Sequence, residues 1–175
     1  MNRLVPLTEI DSFAAAAEAF NEHLGKEYNQ DVADEFSDTV ENYTAGIEAT
    51  VANLEKARDL FEVGKREQFI VESGGRVVGL CLITNQIDIP PGIDTTWPNI
   101  SGFIMNPYRG KGLGRFSIEA RMKVIERDFG NHAWTFVKDS NDRSEHLVTS
   151  VGFEKTNQVV EGWDGHHLFI YDGNR

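Results

Sequence analysis

The fold of this 175-residue chain is decided by Asn106-Pro107-Tyr108-Arg109-Gly110-Lys111-Gly112-Leu113-Gly114. A short β-rich run, residues 100–105, precedes it, and residues 115–129 follow with apolar side chains near helical spacing. The stretch is therefore predicted to be a glycine-rich turn between a strand and an amphipathic helix. Because glycine lacks a Cβ, the N–H groups of such a turn can close around an anion, which the start of the helix and two cations also attract. A phosphate or diphosphate is the expected ligand.

Two common phosphate-binding patterns do not fit this turn. The Walker A pattern requires Ser or Thr after its lysine, but Lys111 is followed by Gly112. The dinucleotide-binding pattern requires a third glycine at the position of Arg115. The pattern Arg-x-x-Gly-x-Gly does fit, with Arg109, Gly112 and Gly114. A glycine-rich turn that carries two solvated cations is the alternative interpretation of the hexapeptide taken alone.

A second segment, residues 141–153, has polar and small residues at regular spacing. Asn141 is predicted to cap a helix that ends at a Gly-Phe pair. Together with the glycine-rich turn, the segment resembles the GNAT-type N-acetyltransferase superfamily, whose members carry Asn, a small residue, Leu-Tyr and Gly-Phe in this order. Here Ser144 and Leu147 keep that register, and Val148 stands at the position of the family's tyrosine. An ordinary capped surface helix is the alternative for this segment by itself.

The resemblance implies both a fold and an activity for residues 1–175, taken as one domain. The implied fold is an α/β (α+β mixed) domain with a mixed, largely antiparallel central sheet of about seven strands and helices on both faces. The implied activity is transfer of an acetyl group from acetyl-CoA to a primary amine of a small molecule or peptide, by direct attack in a ternary complex. The CoA-binding residues implied by the resemblance are Phe103, Ile104, Met105, Arg109, Gly110, Lys111, Gly112, Leu113, Gly114 and Asn141.

The sequence departs from the family at the acid that protonates the leaving thiolate. Val148 has no proton to donate, and Ser144, one turn earlier on the same helical face, is the candidate in its place. Ser144 also has a simpler interpretation as a packing or capping residue. No general base is identified, because residues 97–105 contain no carboxylate. Two alternatives therefore stay open: a catalytically impaired GNAT-like domain that binds CoA or acts as a sensor, and an unrelated phosphate-binding module.

Composition and charge limit the partners. The net charge of -11 argues against nucleic acid and anionic membranes and favours a cationic acceptor. An acidic helical face suits attraction of a cationic acceptor, but a solvated face with no ligand is the alternative, as is a net charge that serves solubility alone; the face comprises Asp31, Asp34, Glu35, Asp38 and Glu41. Cys81 is the single cysteine, which excludes an intrachain disulfide and a cysteine-rich metal site, and no metal is expected. No apolar run approaches the ~20 residues that span a bilayer, and no export signal is recognised at the N-terminus, so a cytoplasmic protein is expected.

The remaining elements follow from periodicity and turn signals. The helix after the glycine-rich turn is predicted to bury Phe116, Ile118, Met122, Ile125 and Phe129. The other predicted elements are a strand at 3–7, a helix capped by Thr8 or Asp11 and ended by Gly25, helical pieces within 31–61 with a break near 43–46, a hairpin of strands 68–72 and 76–83, a loop at 88–98, an interior strand at 133–137, and two strands at 156–160 and 167–171. Terminal strands and the long helical region offer surfaces for a homodimer, which stays open.

Overall fold

The computed structural model describes residues 1–24, 43–85, 89–158 and 165–174. The chain divides into two compact units. The first comprises Met1–Phe61, Gln68–Cys81 and Gly102–Leu113, and the second comprises Glu62–Glu67, Leu82–Ser101 and Gly114–Arg175. None of the described helices is long and apolar enough to cross a membrane.

The described residues form seven strands and four α-helices. The strands are β1 (Asn2–Pro6), β2 (Arg66–Ser73), β3 (Arg76–Thr84), β4 (Asn99–Ile104), β5 (His132–Lys138), β6 (Glu154–Lys155) and β7 (His166–Asp172). The helices are α1 (Ala14–His23), α2 (Ile47–Asp59), α3 (Leu113–Asp128) and α4 (Asp142–Ser150), with short 3-10 turns at Leu7–Glu9 and Asn106–Tyr108.

The seven described strands form one sheet in the order β1-β2-β3-β4-β5-β7-β6. Strands β4 and β5 are parallel, whereas β5 and β6 each pair with β7 in the antiparallel sense, as β1 does with β2. The predicted mixed, largely antiparallel sheet is confirmed. The interior position predicted for residues 133–137 is also confirmed, since β5 lies between β4 and β7.

Two of the predicted elements differ from the structure. Residues 156–158 of the strand expected at 156–160 are not in a strand, although the N–H of Thr156 donates to the carbonyl oxygen of Leu168 at 2.9 Å; the strand that pairs with β7 consists of Glu154 and Lys155, and residues 159–160 lie outside the described residues. The cap expected at Thr8 or Asp11 is also wrong, because Thr8 lies in the 3-10 turn and α1 begins after Phe13 without a side-chain cap. Phe13 is 2% exposed, so burial of its ring, and not capping, sets the start of the helix.

The break predicted near 43–46 is confirmed at Gly46. This residue has φ 108°, a conformation that favours glycine, and it stands directly before α2. The preceding helical piece, the acidic residues 31–41 and Gly25 lie outside the described residues.

In the first unit, α1 and α2 bury apolar side chains against the strands. Phe20 of α1 is fully buried between two rings, with centroids 5.8 Å from Phe103 of β4 and 5.7 Å from Tyr43. The buried cluster consists of Leu7, Phe13, Ala16, Phe20, Leu24, Tyr43, Leu54, Ala57, Ile70, Leu80, Phe103 and Met105. The last two residues belong to β4 and to the turn after it, so this core supports one side of the segment that precedes the glycine-rich loop.

A single amide side chain joins the two helices of this unit. Asn21 of α1 donates from Nδ2 to the carbonyl oxygen of Ala17 at 2.8 Å and to Thr50 Oγ1 of α2 at 2.9 Å. Its Oδ1 accepts from the N–H of Gly46 at 3.0 Å. Thr50 is fully buried, so these bonds satisfy polar groups that water does not reach.

In the second unit, the buried face of α3 differs from the predicted stripe. Ile118 and Ile125 are buried as predicted, but Phe116, Met122 and Phe129 are only half-buried. The buried positions between and beside the two isoleucines are Ser117 and Arg121. Because these two residues are polar, the periodicity of apolar residues alone placed the face about one position away from where it lies.

Two carboxyl groups meet where β2 begins and α3 ends. Glu67 is 4% exposed, and its Oε1 accepts weakly from the N–H of Gly64 at 3.5 Å. Burial raises the pKa of Glu67, and the negative charge of Asp128 adds to that increase. The hydrogen bond from Arg127 lowers the pKa of Asp128. Of the two carboxyl groups, Glu67 is therefore the one that takes up a proton more readily.

Candidate functional site

The glycine-rich loop begins with a tight turn after β4. The N–H of Tyr108 donates to the carbonyl of Met105 at 3.0 Å, and the N–H of Arg109 donates to that of Asn106 at 3.0 Å. Gly110 and Gly112 then have φ values of 76° and 77°, which residues with a Cβ rarely adopt. The strand, turn and helix predicted from the sequence are confirmed.

The main-chain amides of the loop are available to a ligand. Within the described residues, the N–H groups of Gly110, Lys111 and Gly112 donate to no protein atom. A Cβ built at Gly110 or Gly112 would have no described atom within 4 Å beyond its chain neighbours. Helix α3 starts at Leu113, so the first N–H groups of the helix also lack carbonyl partners within it. An uncovered row of donors at the positive end of a helix fits a diphosphate.

The two cations of the loop have different environments. Arg109 is half-buried, and its Nε donates to the carbonyl oxygen of Ile104 at 2.7 Å, which ties the loop to the end of β4. Lys111 is exposed, with Nζ 3.1 Å from the carbonyl oxygen of Pro107 and 5.6 Å from the ring centroid of Tyr108. The ring of Tyr108 also meets His23 of α1 edge-on, at 5.8 Å between centroids. Lys111 is thus the cation with freedom to turn towards a ligand, whereas Arg109 braces the loop.

Gly114, the third glycine of the motif, is explained by packing. A Cβ at this position would stand 2.9 Å from Cδ2 of Leu147 on α4. Leu147 belongs to the second motif, so one contact in the second unit joins the two motifs that the sequence suggested separately. The close approach of α3 and α4 therefore leaves little room for a side chain at position 114 unless the end of Leu147 shifts.

Asn141 caps α4 as predicted. Its Oδ1 accepts from the N–H of Ser144 at 3.1 Å. Ser144 is half-buried in the first turn, Val148 is 6% exposed, and His146 is exposed. The position of the family's tyrosine is therefore part of the packed core of this helix. Among the described residues, no group of three or more His, Cys, Asp or Glu side chains is arranged to bind a metal.

Strand β4 is irregular just before the loop. Gly102 has φ 150°, and a Cβ there would stand 2.6 Å from both the carbonyl oxygen of Leu80 and Cβ of Cys81. Across from it, a Cβ at Gly79 would stand 2.2 Å from the carbonyl oxygen of Phe103. These two glycines allow the main chains of β3 and β4 to approach closely, which a residue with a Cβ at either position would prevent.

The three residues predicted to contact the pantetheine arm lie at the end of this irregular strand. Phe103 is 8% exposed and Met105 is fully buried, and the N–H of Met105 donates to the carbonyl oxygen of Val78 on β3 at 2.9 Å. Ile104 is half-buried, and its carbonyl oxygen is the acceptor of Arg109.

Two polar side chains that were not predicted from the sequence support the first half of β4. Thr135 Oγ1 donates to the carbonyl oxygen of Ile100 at 2.8 Å, and Arg121 Nη1 donates to that of Ser101 at 2.6 Å. A signal was present in the sequence for Arg121, which stands three residues after Ile118 and four before Ile125 and so falls on the buried face.

Comparison with known proteins finds one family and many similar structures. The model of the acetyltransferase (GNAT) family matches residues 27–153. Comparison with curated protein sequences finds no significant match.

Three of the similar structures illustrate the fold. Mycobacterium smegmatis RimJ in complex with CoA-disulfide has a TM-score of 0.67 and 15% identity, covering 99% of this chain and 81% of that one. Campylobacter jejuni N-acetyltransferase PseH in complex with acetyl coenzyme A has a TM-score of 0.60 and 13% identity, covering 98% and 99%. A chimeric spermidine N-acetyltransferase SpeG, from Vibrio cholerae and hSSAT, has a TM-score of 0.61 and 14% identity, covering 99% and 95%.

Proposed function

Since the chain belongs to the GNAT family of acetyltransferases, we propose that it transfers the acetyl group of acetyl-CoA to a primary amine of a small molecule or peptide. The observation that carries the proposal is the row of unused amides from Gly110 to Gly112, followed directly by the start of α3. Acetyl-CoA supplies an activated thioester whose carbonyl carbon forms a bond to the amine nitrogen as the bond to sulfur breaks. The amine gives up a proton and the departing thiolate takes one.

The loop binds the diphosphate of CoA through main-chain groups. The amides of Gly110 to Gly114 donate to the phosphate oxygens, with Leu113 and Gly114 contributing from the first turn of α3. Lys111 adds a positive charge after it leaves the carbonyl of Pro107, an exchange of one exposed contact that costs little. Arg109 offsets charge from its place beside Ile104 and holds the loop against the strand.

The segment Phe103–Met105 binds the pantetheine arm and the thioester. Amides of consecutive residues in a strand point to opposite sides, and that of Met105 is directed to Val78 of β3. The N–H of Ile104 therefore points away from β3 and is the donor that polarises the thioester oxygen. A fixed donor aimed at developing negative charge lowers the barrier without having to reorganise. Asn141 either contacts the pantetheine arm or contributes only the turn geometry at the start of α4, where its Oδ1 accepts from the N–H of Ser144.

The proton for the thiolate is supplied by Ser144 or by water. Val148 is buried and aliphatic, so the family's usual acid has no counterpart at that position. The hydroxyl of Ser144 lies on the same helical face, where its N–H is already held by Asn141. A serine is a weak acid, and orientation of the two substrates then supplies most of the rate. Replacing Ser144 with alanine tests this role: an unchanged rate of acetyl transfer would assign the proton to water.

The acceptor is a cationic amine in this proposal. The net charge of -11 attracts cations to the protein, and one structure of the same fold is named as a spermidine N-acetyltransferase. An amine with a pKa of about 10.4 must lose a proton before it attacks, and a water molecule is the expected carrier.

Two measurements separate the proposal from its alternatives. Thermal shift with CoA, ATP and NAD tests the loop: stabilisation by CoA alone supports a GNAT site, whereas stabilisation by ATP or NAD indicates another phosphate-binding module. Release of free thiol from acetyl-CoA, with polyamines, aminoglycosides and lysine peptides as acceptors, tests the chemistry. Binding of CoA without thiol release for any acceptor would favour the catalytically impaired domain.

A further inference from the structure

The guanidinium of Arg121 on α3 has no part in the function proposed so far. Arg121 is only 5% exposed. Its Nη1 donates to the carbonyl oxygen of Ser101 on β4 at 2.6 Å, and its Nε donates to that of Ser117 at 3.2 Å. Ser117 is one turn earlier on α3, and its small side chain leaves room for an arginine that points back along the helix. The helix thereby places a full positive charge on the main chain of β4.

The strand is irregular directly after the residue that Arg121 holds. Gly102 has φ 150°, and β3 is close enough that a Cβ at Gly102 would stand 2.6 Å from the carbonyl oxygen of Leu80. Glycine contributes no side chain to fix the strand at this close approach, so contacts from the neighbouring residues help to fix the orientation of the peptide groups. The bond from Arg121 to Ser101 is such a contact.

Two other buried side chains hold Asn99 and Ile100, the residues of β4 that precede Ser101. Thr135 Oγ1 donates to the carbonyl oxygen of Ile100 at 2.8 Å, and Asn99 Nδ2 donates to that of Trp134 at 3.4 Å. Both side chains are less than a tenth exposed. The start of β4 is thus held by a series of side-chain hydrogen bonds, and the one from Arg121 carries a charge.

Stability alone gives little reason for an arginine at this position. Desolvating a guanidinium is costly, and apolar replacements of buried charged groups are often neutral or stabilising. A charge-assisted hydrogen bond is short and directional, however, so it fixes the position of the peptide group that it holds.

We propose that Arg121 is a positioning residue for acetyl transfer, because it fixes β4 at Ser101 so that the segment Gly102–Ile104 presents its amides to the thioester. This inference rests on the proposed function. Arg121 acts through the strand and does not itself contact the substrates. A shift of the strand by a fraction of an ångström would leave diphosphate binding by the loop in place and misalign the donor at Ile104.

The test uses three variants of the full chain. Arg121→Met removes the charge, Arg121→Lys keeps a cation with a shorter reach, and Arg115→Met is the matched control on the same helix. Arg115 is exposed and paired with Glu119 at 2.7 Å across one turn, so its loss is expected to leave kcat unchanged, and its Kd for CoA measures the effect of losing a cation next to the loop. The kcat and the KM for acetyl-CoA are measured with the best acceptor of the wild type, together with the Kd for CoA and the Tm.

A positioning role predicts a split between turnover and binding. In Arg121→Met, kcat should fall by about 10- to 100-fold while the Kd for CoA changes by less than about 3-fold. Arg121→Lys should recover part of kcat, which a residue that only fills space would not do. Amide chemical shifts measured in the CoA complex should move at Ile104 in both Arg121 variants and stay unchanged in Arg115→Met.

Several results would overturn the inference. The first is a kcat in Arg121→Met that equals the kcat of Arg115→Met. The second is a loss of kcat in Arg121→Met that is matched by an equal loss of affinity for CoA. If Arg121→Met does not fold, Arg121→Lys decides, and a wild-type kcat together with an unmoved Ile104 amide would refute the role. If the wild type binds CoA but acetylates no acceptor, the amide chemical shift of Ile104 in the CoA complex is the deciding measurement, and an unmoved shift in both Arg121 variants would refute the role. If the wild type does not bind CoA, the proposed function fails first and the inference fails with it.

Discussion

Replacing Gly112 with valine separates the binding role of the loop from its role in the fold. Gly112 has φ 77°, and a Cβ there meets no described atom within 4 Å beyond its chain neighbours. The expected cost to stability is therefore the left-handed backbone strain alone, about 1–2 kcal/mol. A domain typically has about 5–15 kcal/mol of stability, so the variant should fold. For a chain of this length, that cost corresponds to a Tm lower by roughly 2–8 °C.

The expected loss in CoA binding is larger than the loss in stability. The new side chain would occupy the space that a phosphate must enter to reach the amides. A hydrogen bond to a charged group contributes about 1.5–3 kcal/mol, so losing one such bond weakens binding by roughly 10- to 100-fold. Isothermal titration with CoA measures the change in Kd, and a thermal scan of the free protein measures the change in Tm.

Gly130→Val is the matched control for this experiment. Gly130 follows the opposite end of α3, has φ 85°, and likewise has no described atom within 4 Å of a Cβ. It should lower the Tm by a similar amount and leave CoA affinity unchanged. If Gly112→Val and Gly130→Val bind CoA equally well, the loop does not hold the diphosphate, and the assignment of the site is wrong.

Three further changes have outcomes that the structure determines. The raised pKa of Glu67 means that the native state holds this proton more tightly than the unfolded chain does. The free energy of unfolding therefore falls as pH rises from about 4.5 through the raised pKa. Glu67→Gln keeps a donor for Asp128, so it should raise the Tm at neutral pH and lose this advantage at acidic pH. Gly114→Ala should destabilise by no more than about 1 kcal/mol in urea, because the new Cβ would stand 2.9 Å from Cδ2 at the flexible end of Leu147, which can shift; a larger loss that Leu147→Ala does not relieve would contradict the contact. Asn21→Ala should also cost about 1–3 kcal/mol in urea without changing CoA affinity, because it deprives the buried hydroxyl of Thr50 of its bond to Asn21.

Local signals predicted the parts of the site that depend on main-chain conformation. The turn at Asn106–Tyr108, the start of α3 at Leu113 and the cap at Asn141 each follow from short-range hydrogen bonding and from the residues that permit it. The break at Gly46 was predictable for the same reason. Such features need only a few neighbouring residues, all of which the sequence shows.

Features that depend on distant residues were not predictable in this way. The spacing of Gly114 indicated a ligand-binding glycine, but nothing in it indicated that Leu147 occupies the adjacent space. The spacing placed Arg121 on the buried face, but it did not indicate the acceptor, the carbonyl oxygen of Ser101 twenty residues earlier. The φ of Gly102 is likewise set by how closely β3 approaches. The edge strand was predicted to start at Thr156, whereas β6 consists of Glu154 and Lys155, because pairing with β7 determines its position more than its own composition does.

The position of Cys81 offers a reporter of motion beneath the proposed site. This single cysteine is 1% exposed on β3, directly against Gly102. A thiol reagent can reach it only when the β3–β4 region opens, so the rate of chemical labelling measures how often that opening occurs. Slower labelling in the presence of CoA would show that binding at the site reduces how often β3 and β4 open around Cys81.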